Sequence, residues 1–225
     1  MLTPLPLMTE FRTAPGLFAR PPAGAGFLAE TDGVRKTYLR DEAVYAEEET
    51  ADWVYEVVTG VVRTCRLLSD GRRQIEDFHL CGDVFGLEAG LTRRTTAEAV
   101  GPVVLKLVRR SILADLAARD PAVAQKLWSL TAQDLRRSRD HVLMLGRRSA
   151  VERVAGFLLD LVQRTGCGGD ALDLPMSRQD IADYLGLTIE TVSRTFTQLQ
   201  GSGVLKAPSC RHLEISLEAL ENICA

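Results

Sequence analysis

The amino-acid sequence predicts an α+β fold in three successive parts: a strand-rich half, one long helix, and a compact helical unit edged by two short strands. Three observations predict it. Runs of β-branched residues broken by Gly-containing turns fill residues 38–108. A helical apolar period continues unbroken through 121–145, and two short capped helical segments at 177–200 are followed by a strand–turn–strand pattern at 204–215.

The chain has 225 residues, 46 % hydrophobic and 25 % charged, enough apolar material for one large core or two modest ones. No apolar run approaches bilayer length, so no membrane partner is expected. Residues 1–22 are rich in proline and small residues and lack the basic start and apolar stretch of a secretion signal. They read as a loose arm on a cytoplasmic protein. Cys65, Cys81, Cys167, Cys210 and Cys224 are scattered, odd in number and form no C-x-x-C pair, which excludes a zinc pattern and a secreted disulfide framework. No metal and no cofactor are expected.

Residues 23–118 read as a small β-roll. Val54, Val57, Val58, Val61 and Val62 surround Gly60, and Thr64-Cys65-Arg66-Leu67-Leu68 runs into Ser69-Asp70-Gly71, where Asp-Gly is a strong hairpin signal. Residues 74–80 form the return strand, Gly82-Asp83 begins another turn, and 100–108 is a further β-rich run. Ser111 is placed to cap a helix over 112–118.

Residues 119–146 read as a dimerisation helix. Asp120 caps it, Pro121 takes its first position and Gly146 stops it. Ala124, Trp128, Thr131, Leu135, Ser138, Val142 and Leu145 recur at alternating steps of four and three, a heptad seam. Val123, Leu127 and Leu130 already offer a face to the chain's own core, so the second seam points to a partner helix and a homodimer. Arg147-Arg148-Ser149 reads as a hinge. Beyond it come an amphipathic helix over 151–162, a loop at Cys167-Gly168-Gly169 and a short strand over 171–174.

The last part, 147–225, carries the clearest functional signal. Ser177 is followed three residues later by Asp180, close to a capping box. Ile181, Ala182 and Leu185 give the first helix its buried face, Gly186 breaks the chain, and Thr188 caps the second helix. Val192, Phe196 and Leu199 bury that helix on one side, while Glu190, Thr191, Ser193 and Arg194 point outward. This is a helix-turn-helix, and residues 204–207 and 212–215 add a β-wing. The reading implies a double-stranded DNA partner, with Glu190, Ser193 and Arg194 at base edges. Ser177, Arg178, Gln179, Thr188, Thr191 and Lys206 are placed for phosphates. The charge balance argues the other way: residues 151–225 hold six Lys or Arg against ten Asp or Glu. Phosphate attraction is local, however, screened within about 10 Å. Cys210, on the wing turn beside Arg211 and His212, is a candidate redox thiol.

Residues 176–194, Met-Ser-Arg-Gln-Asp-Ile-Ala-Asp-Tyr-Leu-Gly-Leu-Thr-Ile-Glu-Thr-Val-Ser-Arg, resemble the helix-turn-helix of the Crp/Fnr superfamily, most of all its FixK-like branch. Gly60, Asp70-Gly71 and Gly82-Asp83-Val84-Phe85-Gly86 fit that family's cyclic-nucleotide-binding-like β-roll, and the long helix fits its dimerisation helix. The resemblance implies a transcription regulator, mainly an activator, that engages RNA polymerase. It implies TTGAT-type inverted repeats, because Ile189 stands where cyclic-AMP-type members carry Arg. The FixK-like branch implies control of microaerobic respiration, nitrogen fixation or denitrification genes.

Departures from the pattern point to an effector-free sensor domain. Glu88 matches the nucleotide-binding members, but Thr95 falls where their phosphate-binding Arg should align. Arg94 is one position off, which on a strand means the opposite face. The N-terminal cysteines of cluster-binding members are absent, and so are the Cys and His of haem-binding members. His79 reads as structural. The alternative is a nucleotide-gated regulator. An enzyme is disfavoured: no Ser/His/Asp set, phosphate-binding loop or metal-ligand spacing occurs, and Glu47-Glu48-Glu49 reads as a solvated face.

Overall fold

The computed structural model describes residues 26–28, 30–165, 171–209 and 211–224. The expected arm at 1–22, the loop at Cys167-Gly168-Gly169 and Cys210 lie outside the described residues. Among the described residues eight strands come first: β1 (Val34–Tyr38), β2 (Ala43–Tyr45), β3 (Trp53–Thr59), β4 (Val62–Leu67), β5 (Arg73–His79), β6 (Val84–Phe85), β7 (Thr96–Ala99) and β8 (Val103–Arg109). They form two antiparallel sheets, ordered β1-β8-β3-β6 and β2-β7-β4-β5. Tyr38, Tyr45, Tyr55, Val57, Val62, Phe85 and Leu105 are buried among the core side chains of the roll.

Two details differ from the sequence reading. β1 begins before the expected first strand; it buries only Tyr38 and is held by backbone pairing to β8, so it has no apolar alternation to betray it. The run over 100–108 is not one strand: Val100-Gly101-Pro102 joins β7 to β8, and a Gly-Pro pair ends a ladder because proline has no N–H to donate.

α1 (Arg110–Arg119) follows directly on β8. Its N-cap is Arg109, without a side-chain bond, and Ser111 lies inside the helix, so the expected Ser111 cap is corrected. α2 (Pro121–Arg147) opens as the sequence predicts, with the Asp120 carboxylate accepting from the Ala122 amide and Pro121 in the first turn. Gly146 does not stop it. Gly146 is absent from the left-handed glycines, the helix continues through Arg147, and the Arg148 amide still donates to the Met144 carbonyl. Val123, Leu127 and Leu130 pack on Leu28, Val54, Val84, Val108 and Leu113, so one face of α2 is bound to the roll.

The C-terminal unit comprises α3 (Ala150–Thr165), β9 (Ala171–Asp173), α4 (Arg178–Leu185), α5 (Ile189–Gly201), β10 (Leu205–Lys206), β11 (His212–Ile215) and α6 (Leu217–Cys224). Its small sheet is ordered β10-β11-β9. Its core, with Val154, Leu158, Leu161, Ile181, Leu185, Val192, Phe196 and Leu199, is continuous with Val61, Cys65, Ile75, Phe78, Leu80 and Val100 of the roll. The two parts share one apolar interior.

Candidate nucleic-acid interface

α4 and α5 are set by local chemistry. The Asp180 amide donates to Ser177 Oγ at 3.1 Å and the Ser177 amide donates to Asp180 Oδ2 at 3.0 Å, a reciprocal capping box. α4 ends at Gly186, whose φ of 61° lies in the left-handed region; that conformation closes the helix against the Ala182 carbonyl and is strained for side-chain-bearing residues. Thr188 then caps α5, its Oγ1 accepting from the Thr191 amide at 3.2 Å.

Val192, Phe196 and Leu199 turn inward and are buried, while Glu190, Ser193, Arg194 and Thr197 are exposed along the opposite side. Ile189, at the start of that side, is 38 % exposed. The Glu190 carboxyl is held below its ordinary value by its own backbone amide, then by the Thr188 hydroxyl and the Arg194 charge, so it is an acceptor at neutral pH.

Among the phosphate candidates, Ser177, Gln179 and Thr188 are exposed. Thr191 is half-buried, its hydroxyl 3.1 Å from that of Thr188. Arg178, expected at a phosphate, lies with its guanidinium 3.3 Å from the Phe196 ring centroid and braces α4 on α5. Lys206 is on the wing, 3.8 Å from Glu214. Arg211, exposed just before β11, was not singled out as a contact from sequence.

On α2, Trp128, Leu135 and Val142 are 78, 51 and 67 % exposed and lie on one stripe with exposed Ala124, Thr131 and Ser138. Leu145 departs from the stripe. It is half-buried, close to the Gly186 turn, and its carbonyl accepts from Arg153 at 2.7 Å. Leu143, 63 % exposed beside the stripe, escaped the heptad reading.

A cavity of about 600 Å³ lies between the roll and α2, lined among others by Arg66, Glu88, Arg94, Thr95, Thr131 and Arg137. Residues 93–95 precede β7 and are not strand, so Arg94 is not turned to the opposite face as expected: both Arg94 and Thr95 line the cavity. The residue that sequence reasoning missed is Arg93. Its side chain is wholly buried and meets the Glu88 carboxylate at 2.6 Å. It also donates to the Gly86 and Trp53 carbonyls and lies over the Tyr45 ring at 4.3 Å. Gly86, at φ +82°, admits it closely: a Cβ there would sit 2.9 Å from Arg93 Nη1. His79 is buried and stacks on Phe85 with ring centroids 4.6 Å apart. Burial also pushes the Cys65 thiol up to about 11, an unreactive range for a thiol.

Residues 152–223 match the Crp-like helix-turn-helix domain and 35–120 the cyclic nucleotide-binding domain. The chain is 44 % identical over 214 residues to the nitrogen fixation regulation protein FixK of Azorhizobium caulinodans, covering 93 % of this chain and 86 % of that one. It is 44 % identical to FixK of Rhizobium meliloti, covering 84 % and 86 %. The structure of FixK2 from Bradyrhizobium japonicum superposes with a TM-score of 0.82 at 50 % identity, covering 86 % of this chain and 98 % of that one. Fold and site thus define a DNA-binding transcription regulator. The chain belongs to the Crp/Fnr family, where its similarity runs to FixK proteins.

Proposed function

We propose that the protein acts in the cytoplasm as an effector-free homodimer on TTGAT-type inverted repeats. It serves mainly as an activator that engages RNA polymerase and controls nitrogen fixation, microaerobic respiration or denitrification genes. In this reading, 23–118 is the sensor-like roll, 119–146 the dimerisation helix and 147–225 the reading unit. The observation that carries it is the outer side of α5, where Glu190, Ser193 and Arg194 are exposed together behind an apolar Ile189. Arg pairs bidentately with guanine and Glu accepts from the cytosine amino group. The exposed α2 stripe supports the dimer, because large apolar side chains in a row on a long helix gain by burial against a second copy. Two-fold symmetry then sets the two α5 helices about 34 Å apart, one turn of DNA. The pairing of Glu88 with Arg93 supports effector independence, since each charge already satisfies the other. The names of the FixK relatives support the nitrogen-fixation context.

Binding selection on randomised duplexes, without any nucleotide, tests the reading. Inverted TTGAT repeats are expected. Recovery of TGTGA half-sites overturns the role of Ile189, and sedimentation as a monomer overturns the dimer. A large gain in affinity on adding a cyclic nucleotide overturns effector independence in favour of a nucleotide-gated regulator.

A further inference from the structure

Two clusters of ion pairs join the β4–β5 hairpin and the turn after it to the reading unit. In the first, Arg63 of β4 and Arg73 of β5, which also face Glu98 of the roll at 2.7 and 3.8 Å, meet α4. Arg63 Nη1 lies 3.1 Å and Arg73 Nη2 2.7 Å from the same oxygen, Asp180 Oδ1, and Arg73 Nε donates to Asp183 Oδ2 at 2.8 Å. In the second cluster the polarity is reversed, the reading unit supplying the cation. Arg164 of α3 donates to Asp83 Oδ2 at 2.6 Å and to the Phe78 carbonyl at 2.7 Å, and lies 3.8 Å from Asp77. Gln74 also donates to the Tyr184 carbonyl at 3.4 Å, and the Phe78 ring packs on Tyr184 with centroids 5.3 Å apart.

These groups are largely desolvated: the side chains of Asp180, Arg63 and Arg164 are 4, 8 and 16 % exposed. Buried ion pairs add little net stability, because desolvation offsets their attraction. What they add here is direction. The shared apolar core holds the two parts together without specifying an angle, since hydrophobic contact is non-directional. Each pair needs its guanidinium opposite its own carboxylate, so tilting the reading unit on the roll would part Asp180 from Arg63 and Arg73 and Arg164 from Asp83. Asp180 is also the capping carboxylate of α4, its Oδ2 engaged by Ser177 and its Oδ1 by the two guanidiniums. The roll therefore grips the helix that leads into α5 by its first turn. The outer side of α5 remains exposed in this arrangement, so the grip aims the reading helix and does not hide it.

We propose that Arg63, Arg73 and Arg164 are positioning residues that set the angle of the reading unit on the roll, and through it the spacing between half-sites that the protein accepts. The spacing part rests on the homodimer reading above. The test uses the full-length chain and a series of duplexes in which the spacer between half-sites is shortened or lengthened by one base pair, together with a single half-site. Wild type prefers one spacer by about tenfold. In Arg63→Gln/Arg73→Gln that preference falls to within about twofold while single-half-site affinity is kept, and amide exchange in α4 accelerates. Arg164→Gln, in the second cluster, gives the same flattening. Arg72→Gln removes a charge from the same hairpin, where Arg72 pairs only locally with Asp70 at 2.7 Å, and behaves as wild type. Unchanged spacer preference in the double variant overturns the proposal. So does an equal loss on the single half-site, which would mean damage to the reading surface. A wild-type chain that sediments as a monomer overturns the dimer itself, an outcome distinct from a dimer whose spacing ignores these arginines.

Discussion

The molecule holds two Glu–Arg combinations whose surroundings differ completely. In the roll, Glu88 and Arg93 meet at 2.6 Å, Arg93 is buried under Tyr45, and every strong partner comes from the same domain. On α5, Glu190 and Arg194 stand one helical turn apart on an exposed side. The same two residue types are turned inward on each other in one place and stand exposed to solvent in the other. Residue type alone does not mark a site; what counts is whether the chain has already satisfied the charge. The roll matches the cyclic nucleotide-binding domain over 35–120, yet its conspicuous acid and base are turned on each other.

The largest effect that separates the two regions is on stability. Arg93→Ala leaves Glu88 facing a vacated, mostly buried space and should cost about 3–5 kcal/mol. Chemical denaturation reads this, and the DNA sequence preference of the surviving folded protein should stay as in wild type. A shift in that preference would break the contrast. The converse substitution is Arg194→Ala, with a loss of about 1–3 kcal/mol of binding at one G·C pair and relaxed choice there. Its melting should hardly move. Ile189→Arg sharpens the same side by moving selected half-sites toward TGTGA. A smaller effect is expected at Arg178. Because its guanidinium lies over Phe196, Arg178→Ala should lower the salt dependence of binding by less than one full phosphate contact, and should loosen α4 against α5 in hydrogen exchange.

The smallest and most diffuse effect is the response to acid. His79 is buried, and desolvation lowers its pKa from the ordinary 6.5. The unfolded chain therefore binds a proton first, and stability declines as pH falls below about 6.5. Asp180 follows. Burial alone would raise its pKa, but the bonds from Ser177 and the charges of Arg63 and Arg73 hold it below 3.8. Its contribution is complete above that value and is lost as pH falls below it. His79→Gln should shrink the upper step, which half-buried His141 shares, and Asp180→Asn the lower step, which Asp83 shares; an unchanged upper step in His79→Gln removes His79 from the account.

What the sequence reveals follows the reach of each interaction. The helix-turn-helix is legible because its caps and periodicity span only a few residues: Ser177 with Asp180, Thr188 with Thr191, and Gly186 between them. The start of α2 is legible for the same reason. The role of Arg93 is not, since a bend before β7 breaks the alternation that would assign its face. Leu145 fits the heptad by number, but the fold of the following unit claims it. The grip on α4 joins Arg63 to Asp180 across 117 positions, and no local pattern foreshadows it.

The shared interior bears on how freely such regulators exchange parts. Phe157 and Tyr184 of the reading unit pack around Phe78 of the roll, with ring centroids 6.1 and 5.3 Å from it. A fragment cut out after α2 would carry that aromatic surface into water and be prone to clump. A chimera with another sensor would inherit a socket without its plug unless β4 and β5 travelled too. The chain is written in consecutive segments, but the unit that can be transplanted is the reading unit together with the hairpin that holds it.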